Sequence, residues 1–384
     1  MKHPVYIRAT AAHCALGDCI ETIVDGMRAQ QVCIEQIPLT QINQAIERPY
    51  YRLRFDAKPL QDEIETRFYD ILYSTVQRAI ADAGLEGEQV RRLPVFFGST
   101  SLDIPIYEAS YSQGRHLLSH TSMGYGNLVD HLTRHIDSRG PCYTFTTACT
   151  SSANALIYAA DMIARGDITQ ALVIGYDLFC MVGFYGFEAM KLIAPPPYKP
   201  FDKERQGVIM GEGCAAVVLD RQRRQASDFQ YLGGSNGCDT HSVTTHDPQG
   251  QVMADVMADA LAQAEVRHTQ VDVVKAHATG SYHNDLSESN ALRRVFAQGV
   301  PPVTGLKPFV GHTVGACGAL ELILLTEAVK RGFAPPMLNF ETLDEALAIT
   351  PITAPLNISA GTFLLNYFGF GGNCVSLVVS NVYP

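Results

Sequence analysis

At 384 residues the chain exceeds one ordinary hydrophobic core, so one large domain or two fused halves is expected. Its 47% hydrophobic and 18% charged residues describe a compact globular protein, and a net charge of −10 argues against nucleic acid or anionic membrane as a main partner. Its ten cysteines are scattered without C-x-x-C pairs, which argues against a metal centre or a disulfide framework and for a reducing compartment. The first residues lack the apolar run of a signal peptide and no stretch reaches eighteen apolar residues, so a soluble cytoplasmic chain without a membrane span is expected.

Taken in order, residues 5–7 start a strand and 20–28 read as the first helix. Residues 49–60 are polar, aromatic and irregular, the pattern of a loop. A long helix is predicted over 67–83, with Ile71, Leu72, Val76 and Ile80 on its inner face. Residues 93–98 follow as a strand, 103–120 carry no clear period and read as a surface excursion, and 127–136 read as a short helix. The stretch 142–146 is aromatic and β-branched, a buried strand. Ala153, Leu156, Ile157, Ala160 and Ile163 then recur at helical spacing, and 171–175 is a second strand. Cys149 therefore falls in a sharp strand-to-helix turn inside a βαβ unit.

Residues 183–192 fit no single element, Pro195-Pro196-Pro197 breaks the chain, and 215–219 is a buried strand. The polar run 221–228 is the best boundary, dividing the chain into halves 1–226 and 227–384. Beyond it, strands are predicted at 229–233, 271–276, 302–305, 357–360 and 374–379, and helices at 253–264, 285–296 and 318–331. Strands alternating with helices over both halves predict an α/β layered fold with mostly parallel central strands.

A lone buried cysteine is usually a small hydrophobe. At a helix N-terminus, however, unpaired amides favour a thiolate and can hold an oxyanion when sulfur attacks a thioester. Three later turns carry matching groups: His277 with Thr279-Gly280-Ser281, Lys307 with Gly311-His312, and Phe368-Gly369-Phe370-Gly371-Gly372. Small residues around both histidines leave room for a ligand close to the backbone. Two such histidines can donate to a thioester oxygen, which carbanion chemistry requires. The glycine run is not a phosphate loop, since no Lys-Ser or Lys-Thr pair follows it.

These stretches together, with Thr147-Ala148-Cys149-Thr150-Ser151-Ser152-Ala153, Asn284-Asp285-x-x-Glu288 and Pro200-Phe201-Asp202-Lys203-Glu204-Arg205-x-Gly207, resemble a β-ketoacyl-acyl-carrier-protein synthase of the elongating Cys-His-His type. The match covers nearly the whole chain in the right order. It implies a thiolase-type fold: two related halves in an α-β-α-β-α arrangement, usually dimeric. It implies that Cys149 takes an acyl chain from its carrier protein, and that His277 and His312 assist decarboxylation of the malonyl extender. Lys307 and Glu321 match a buried ion pair, the amides of Cys149 and Phe370 an oxyanion hole, Phe370 a gate flanked by Phe368 and Gly369, and Thr279 and Ser281 pantetheine contacts. Lys199, Lys203 and Arg205 are candidates for docking the acidic carrier protein. No metal and no separate cofactor are implied.

Three departures from the family pattern point toward a specialised polyketide or aryl polyene pathway rather than ordinary fatty-acid elongation. Ala278 stands where glycine is common and is expected to narrow the pantetheine channel; Tyr367 stands where a small residue is common; and the chain is somewhat short. Two alternatives remain: a chain-length-factor-like partner in a heterodimer, and a thiolase-like acyltransferase. Silent partners lack the nucleophile, and thiolases need a Cys-x-Gly that Cys374-Val375-Ser376 does not supply. The dimer is either homomeric or formed with a chain-length-factor-like subunit.

Overall fold

The computed structural model describes residues 3–39, 46–53, 64–112 and 126–382. β-branched and aromatic runs form the strands, and stretches of helical period form the helices. The first half runs β1 (Val5–His13), α1 (Ile20–Arg28), β2 (Glu35–Pro38), β3 (Glu47–Tyr50), α2 (Ile64–Asp82), α3 (Glu88–Arg91), β4 (Val95–Gly98) and α4 (Ile104–Ser112). It continues through α5 (Asn127–His135), β5 (Cys142–Phe145), α6 (Ser151–Arg165), β6 (Gln170–Asp177), α7 (Met181–Ala189) and β7 (Gly213–Asp220). The second half runs β8 (Gln230–Cys238), α8 (Gln251–Gln263), β9 (Val273–Lys275), α9 (Tyr282–Val295), β10 (Val303–Thr304) and α10 (Lys307–Val310). It ends with α11 (Cys317–Lys330), β11 (Phe333–Ala334), β12 (Leu356–Asn357), β13 (Thr362–Gly369) and β14 (Asn373–Ser380).

Ten strands form one sheet in the order β10-β9-β13-β14-β8-β1-β7-β6-β4-β5. Read outward from the centre, each half repeats one pattern. β1-β7-β6 are antiparallel and β6-β4-β5 parallel; β8-β14-β13 are antiparallel and β13-β9-β10 parallel. The halves meet where β1 pairs with β8 through Val5–Tyr231 and Tyr6–Gln230. The expectation of mostly parallel central strands is therefore corrected: parallel pairing lies on the flanks and the centre is antiparallel. The reason is plain at β13 and β14, which are joined by the three-residue turn Phe370–Gly372, too short for a crossover.

Helix α11 is apolar almost all round, and it is buried almost all round. Helix α6 packs on β4, β5 and β6 and also on β8 and β14, so it lies between strands of both halves. Where α6 meets α11 the backbones nearly touch. A Cβ on Gly318 would lie 2.2 Å from the Ala153 nitrogen and 2.7 Å from Ser152 Oγ. This contact brings the turn before α6 against the turn before α11.

Several elements differ from the sequence reading. Tyr50 belongs to a strand, because β3 pairs with β2; residues 54–60 of that expected loop lie outside the described residues. Residues 104–112 are helical, and 113–120 lie outside the described residues. Residues 181–189 form α7. The strand expected at 357–360 is reduced to Leu356–Asn357, while β13 runs through Asn366-Tyr367-Phe368 up to the glycine turn. No helix of the described residues is long and apolar enough to cross a membrane.

Replacing Gly318 with alanine forces α11 away from α6. We expect a loss of about 1–3 kcal/mol in stability, read by urea unfolding, with α-helical content retained.

Candidate active site

Cys149 is 4% exposed and stands on a single 3-10 turn, Ala148–Thr150, between β5 and α6. Ala148 has a left-handed φ of 51°, a strained choice for alanine that turns the chain sharply. Ser151 Oγ donates to the Ala148 carbonyl at 2.6 Å, and the Thr147 amide donates to Ser151 Oγ at 3.0 Å. The Asp177 carboxylate, at the end of β6, braces the surroundings. It accepts from Ser99 Oγ (2.9 Å), Ser101 Oγ (2.7 Å) and the amides of Ser101 (2.8 Å) and Gly315 (2.7 Å). Ser152 Oγ donates to the Gly315 carbonyl at 2.6 Å, so the Cys149 turn and the 314–316 turn form one unit.

His277 follows β9, and Glu288 of α9 fixes its backbone by accepting from the amides of His277 (2.7 Å) and Ala278 (2.9 Å). His312 is held by the mid-chain stretch: its amide donates to Ile209 O at 2.8 Å, and the Gly211 amide donates to its carbonyl at 3.0 Å. His312 Nε2 lies 3.1 Å from Cys149 Sγ, and the two imidazoles meet edge to face with centroids 5.3 Å apart. Lys307 Nζ contacts Glu321 Oε1 (2.8 Å), the His277 carbonyl (2.6 Å) and His277 Nδ1 (3.2 Å). An ammonium can only donate, so His277 Nδ1 accepts and the ring proton sits on Nε2. That Nε2 is buried and has no hydrogen-bond partner among the described residues.

Burial, reinforced by Lys307, His312 and Lys275, holds the His277 imidazole well below its usual range. Burial with Lys307 and Lys275 does the same to His312. Both rings are neutral at neutral pH. Burial pushes the Cys149 thiol up to about 11, against the opposing pull of Lys307 and of the Phe370 amide. The expectation of a resting thiolate is thus corrected: desolvation outweighs the helix end. Burial pushes Glu321 up, but Lys275 and Lys307 outweigh it and hold the carboxyl below the usual range.

The cavity above Cys149 measures about 220 Å³ and is lined by His277, His312, Thr279, Ser281, Phe368 and Phe370, among others. The backbone amides of Cys149 and Phe370 both act to lower the Cys149 thiol, against the larger effect of burial. Phe370 is half-buried and stacks on Phe187 at 5.4 Å, and Phe368 meets the His277 ring edge to face at 6.2 Å. Gly369 backs Cys149, since a Cβ there would lie 3.0 Å from the Cys149 nitrogen. A Cβ on Gly372, with φ 75°, would strike Asp239 O at 1.8 Å, so the turn admits only glycine. Cys149, His277 and His312 have ligand atoms within 4.8 Å of one another. The Lys307 ammonium against the His277 ring would repel a metal cation there.

Three sequence expectations change. Ala278 does not narrow the cavity; its side chain is buried elsewhere, next to the position a Gly305 Cβ would take. Arg205 is no surface docking group: its side chain is 1% exposed and donates to Asp344 Oδ2 at 2.7 Å. Lys199 is also engaged, at 2.7 Å from Glu341, whereas Lys203 is exposed. The structure adds Lys275 and Asp177 to the site. A lysine closing an apolar strand was the available signal for Lys275; Asp177 gave none, because its partners are far away in sequence.

Fold and site together define the thiolase-type class of two-half α/β proteins. The β-ketoacyl synthase N-terminal domain model matches residues 2–225 and the C-terminal domain model matches 232–341. The chain belongs to the β-ketoacyl synthase family. It is 32% identical to the chloroplastic 3-oxoacyl-[acyl-carrier-protein] synthase II of Arabidopsis thaliana over 256 residues, 62% of this chain and 47% of that protein. The chain thus matches about half the length of that relative. It is 29% identical to 3-oxoacyl-[acyl-carrier-protein] synthase 2 of Coxiella burnetii over 342 residues, 82% of each. A ketosynthase solved in complex with its chain length factor, from Xenorhabdus doucetiae, superposes with TM-score 0.85 at 23% identity over 98% of each chain.

Peptide-resolved alkylation of Cys149 by iodoacetamide should keep accelerating above pH 9 and level off only near the thiol midpoint of about 11. Lys307→Met removes a charge that lowers this midpoint, so the rate at pH 8 should fall roughly tenfold, one pKa unit.

Proposed function

We propose that the chain is a 3-oxoacyl-acyl-carrier-protein synthase acting in fatty-acid or polyketide synthesis. The observation that carries this is Cys149 Sγ at 3.1 Å from His312 Nε2, beside a His277 whose tautomer is set by Lys307, under a cavity lined by all three residues. In the first half-reaction the Cys149 thiol passes its proton to His312 as sulfur attacks the carrier-protein thioester. The oxyanion faces the amides of Cys149 and Phe370. The carrier thiol leaves with a proton and the acyl group remains on Cys149.

In the second, His277 and His312, the latter with its ring proton moved to Nε2, donate to the thioester oxygen of malonyl carrier protein, carbon dioxide departs, and the resulting enolate attacks the acyl-Cys149 carbonyl. A carbon–carbon bond forms, the carbon–sulfur bond breaks, and the Cys149 thiolate released takes up one proton from solvent. Neutral imidazoles suit this role, because an enolate needs positioned donors rather than a strong base. Thr279 and Ser281, whose hydroxyls lie 3.0 Å apart on the cavity wall, hold the pantetheine arm. Phe370 gates the acyl site. A second cavity of about 160 Å³, lined by Ile104, Leu178, Phe184, Phe187 and Met210, takes the acyl chain.

The carrier protein docks on the outer surface, with Lys203 as a contact. The chain works as a dimer, with a second copy or a chain-length-factor-like subunit. The exposed edge strand β5, with Tyr143 and nearby Tyr158 partly bare, supports an interface there. We divide the chain into functional halves at 226–227, the first carrying the nucleophile and the second both histidines. No metal or separate cofactor takes part, and the enzyme acts in the cytoplasm. The silent-partner reading is disfavoured by the presence of Cys149, His277 and His312 together.

Intact-mass analysis after incubation with acyl carrier protein tests the reading. Wild type should gain an acyl adduct that disappears when malonyl carrier protein is added, and Cys149→Ala should gain none. No adduct across a panel of primers, alone or with a partner subunit, would refute it. His312→Ala should lower decarboxylation of malonyl carrier protein by ~10²–10³-fold, followed by carbon dioxide release.

A further inference from the structure

Lys275 takes no part in the steps above, yet it is a second lysine buried beside Lys307. It closes β9, two residues before His277. Its Nζ donates to Glu321 Oε2 at 2.6 Å and to the Asn366 carbonyl at 2.6 Å, and it lies 3.6 Å from the centroid of the Tyr367 ring. Its side chain is 0% exposed and that of Glu321 1%. A buried ammonium persists only where protein groups replace its water, and a carboxylate, a carbonyl and an aromatic face do so here.

The two oxygens of Glu321 are divided between two ammoniums, Oε1 to Lys307 and Oε2 to Lys275. Lys307 directs its remaining hydrogens to the His277 carbonyl and Nδ1. Without Lys275, Glu321 Oε2 loses its hydrogen-bond donor in a dry site. The carboxylate then turns both oxygens toward Lys307 and draws it away from His277 Nδ1, which releases the tautomer. Lys275 also grips β13 at Asn366, three residues before Gly369, and so ties the strand that leads to Phe370 to the same carboxylate.

We propose that Lys275 is a positioning residue, a tethered cation that keeps Glu321 divided so that Lys307 stays on His277, and that its seat accepts a free ammonium ion once the tether is cut. The consequence for turnover rests on the condensing-enzyme reading of the Cys149 site.

Lys275→Ala leaves a gap bounded by Glu321, the Asn366 carbonyl and Tyr367. The full chain is studied in ammonium chloride and, at equal ionic strength, in choline chloride, whose cation is too large for the gap. Thermal unfolding requires no substrate. The variant should melt below wild type in choline and recover part of the loss in ammonium, with wild type indifferent. For decarboxylation of malonyl carrier protein, kcat should fall ~10- to 100-fold with KM little changed, and ammonium should restore it. Lys275→Met, which fills the gap without charge, should be equally slow and unresponsive to ammonium.

A folded Lys275→Ala that ignores ammonium in both measurements overturns the proposal, as does Lys275→Met at the wild-type rate. If Lys275→Ala does not fold, the rate of Lys275→Met decides in the same way. If wild type itself neither acylates nor decarboxylates, the enzymatic reading fails, and the ammonium-dependent melting still decides whether the cation seat exists.

Discussion

One buried carboxylate, Glu321, is shared between two buried ammoniums, and the reactive geometry depends on that triad. It joins α11, which carries Glu321, to α10 through Lys307 and to β9 through Lys275, and Lys275 extends the link to β13. A charge in a dry interior persists only where protein groups replace its water, and removing one partner of such a group costs about 3–5 kcal/mol. With one carboxylate against two ammoniums, the triad also leaves a net positive charge behind the histidines. Burial, reinforced by that charge, keeps both imidazoles neutral, and Lys307 sets the proton of His277 on Nε2.

Burial and charge therefore fix the resting state as thiol and neutral imidazoles, rather than thiolate and imidazolium. Desolvation disfavours ionisation in the ground state. The same dry surroundings strengthen any donor aimed at charge that develops during reaction. In the proposed reaction the amides of Cys149 and Phe370 and the ring N–H of His277 are such donors, set in place before substrate arrives. Neutral histidines and a protonated sulfur are consistent with one site serving both acyl transfer and enolate stabilisation.

The backbone pays a cost beside each reactive side chain. Ala148 precedes Cys149 with φ 51°, Ala278 follows His277 with φ 48°, and Val314 lies two residues beyond His312 with φ 45°. Each left-handed non-glycine residue costs about 1–3 kcal/mol and persists only where its surroundings over-determine it. Here the restraints are visible: Ser151 on the Ala148 carbonyl, Glu288 on the Ala278 amide, and Asp177 on the Gly315 amide. Cys149 comes from one half and the histidines from the other, and α6 and α11, which follow their turns, meet closely at Gly318.

Much of this protein is legible in its sequence. The apolar and β-branched runs mark most strands, helical period marks α2, α6, α8 and α11, and small residues around Cys149, His277, His312 and Gly369–Gly372 mark the turns that carry chemistry. These are local patterns, written within a dozen residues. The tertiary structure decided what depends on distant partners. The antiparallel centre of the sheet follows from pairings such as β1 with β7, and the role of Asp177 from residues 78 and 138 positions away. Arg205 looked like a surface charge until packing buried it against Asp344, and Cys149 looked like a thiolate until its desolvation outweighed the helix end. Charge state and burial are properties of the assembled interior, where the surroundings come from both halves of the chain at once.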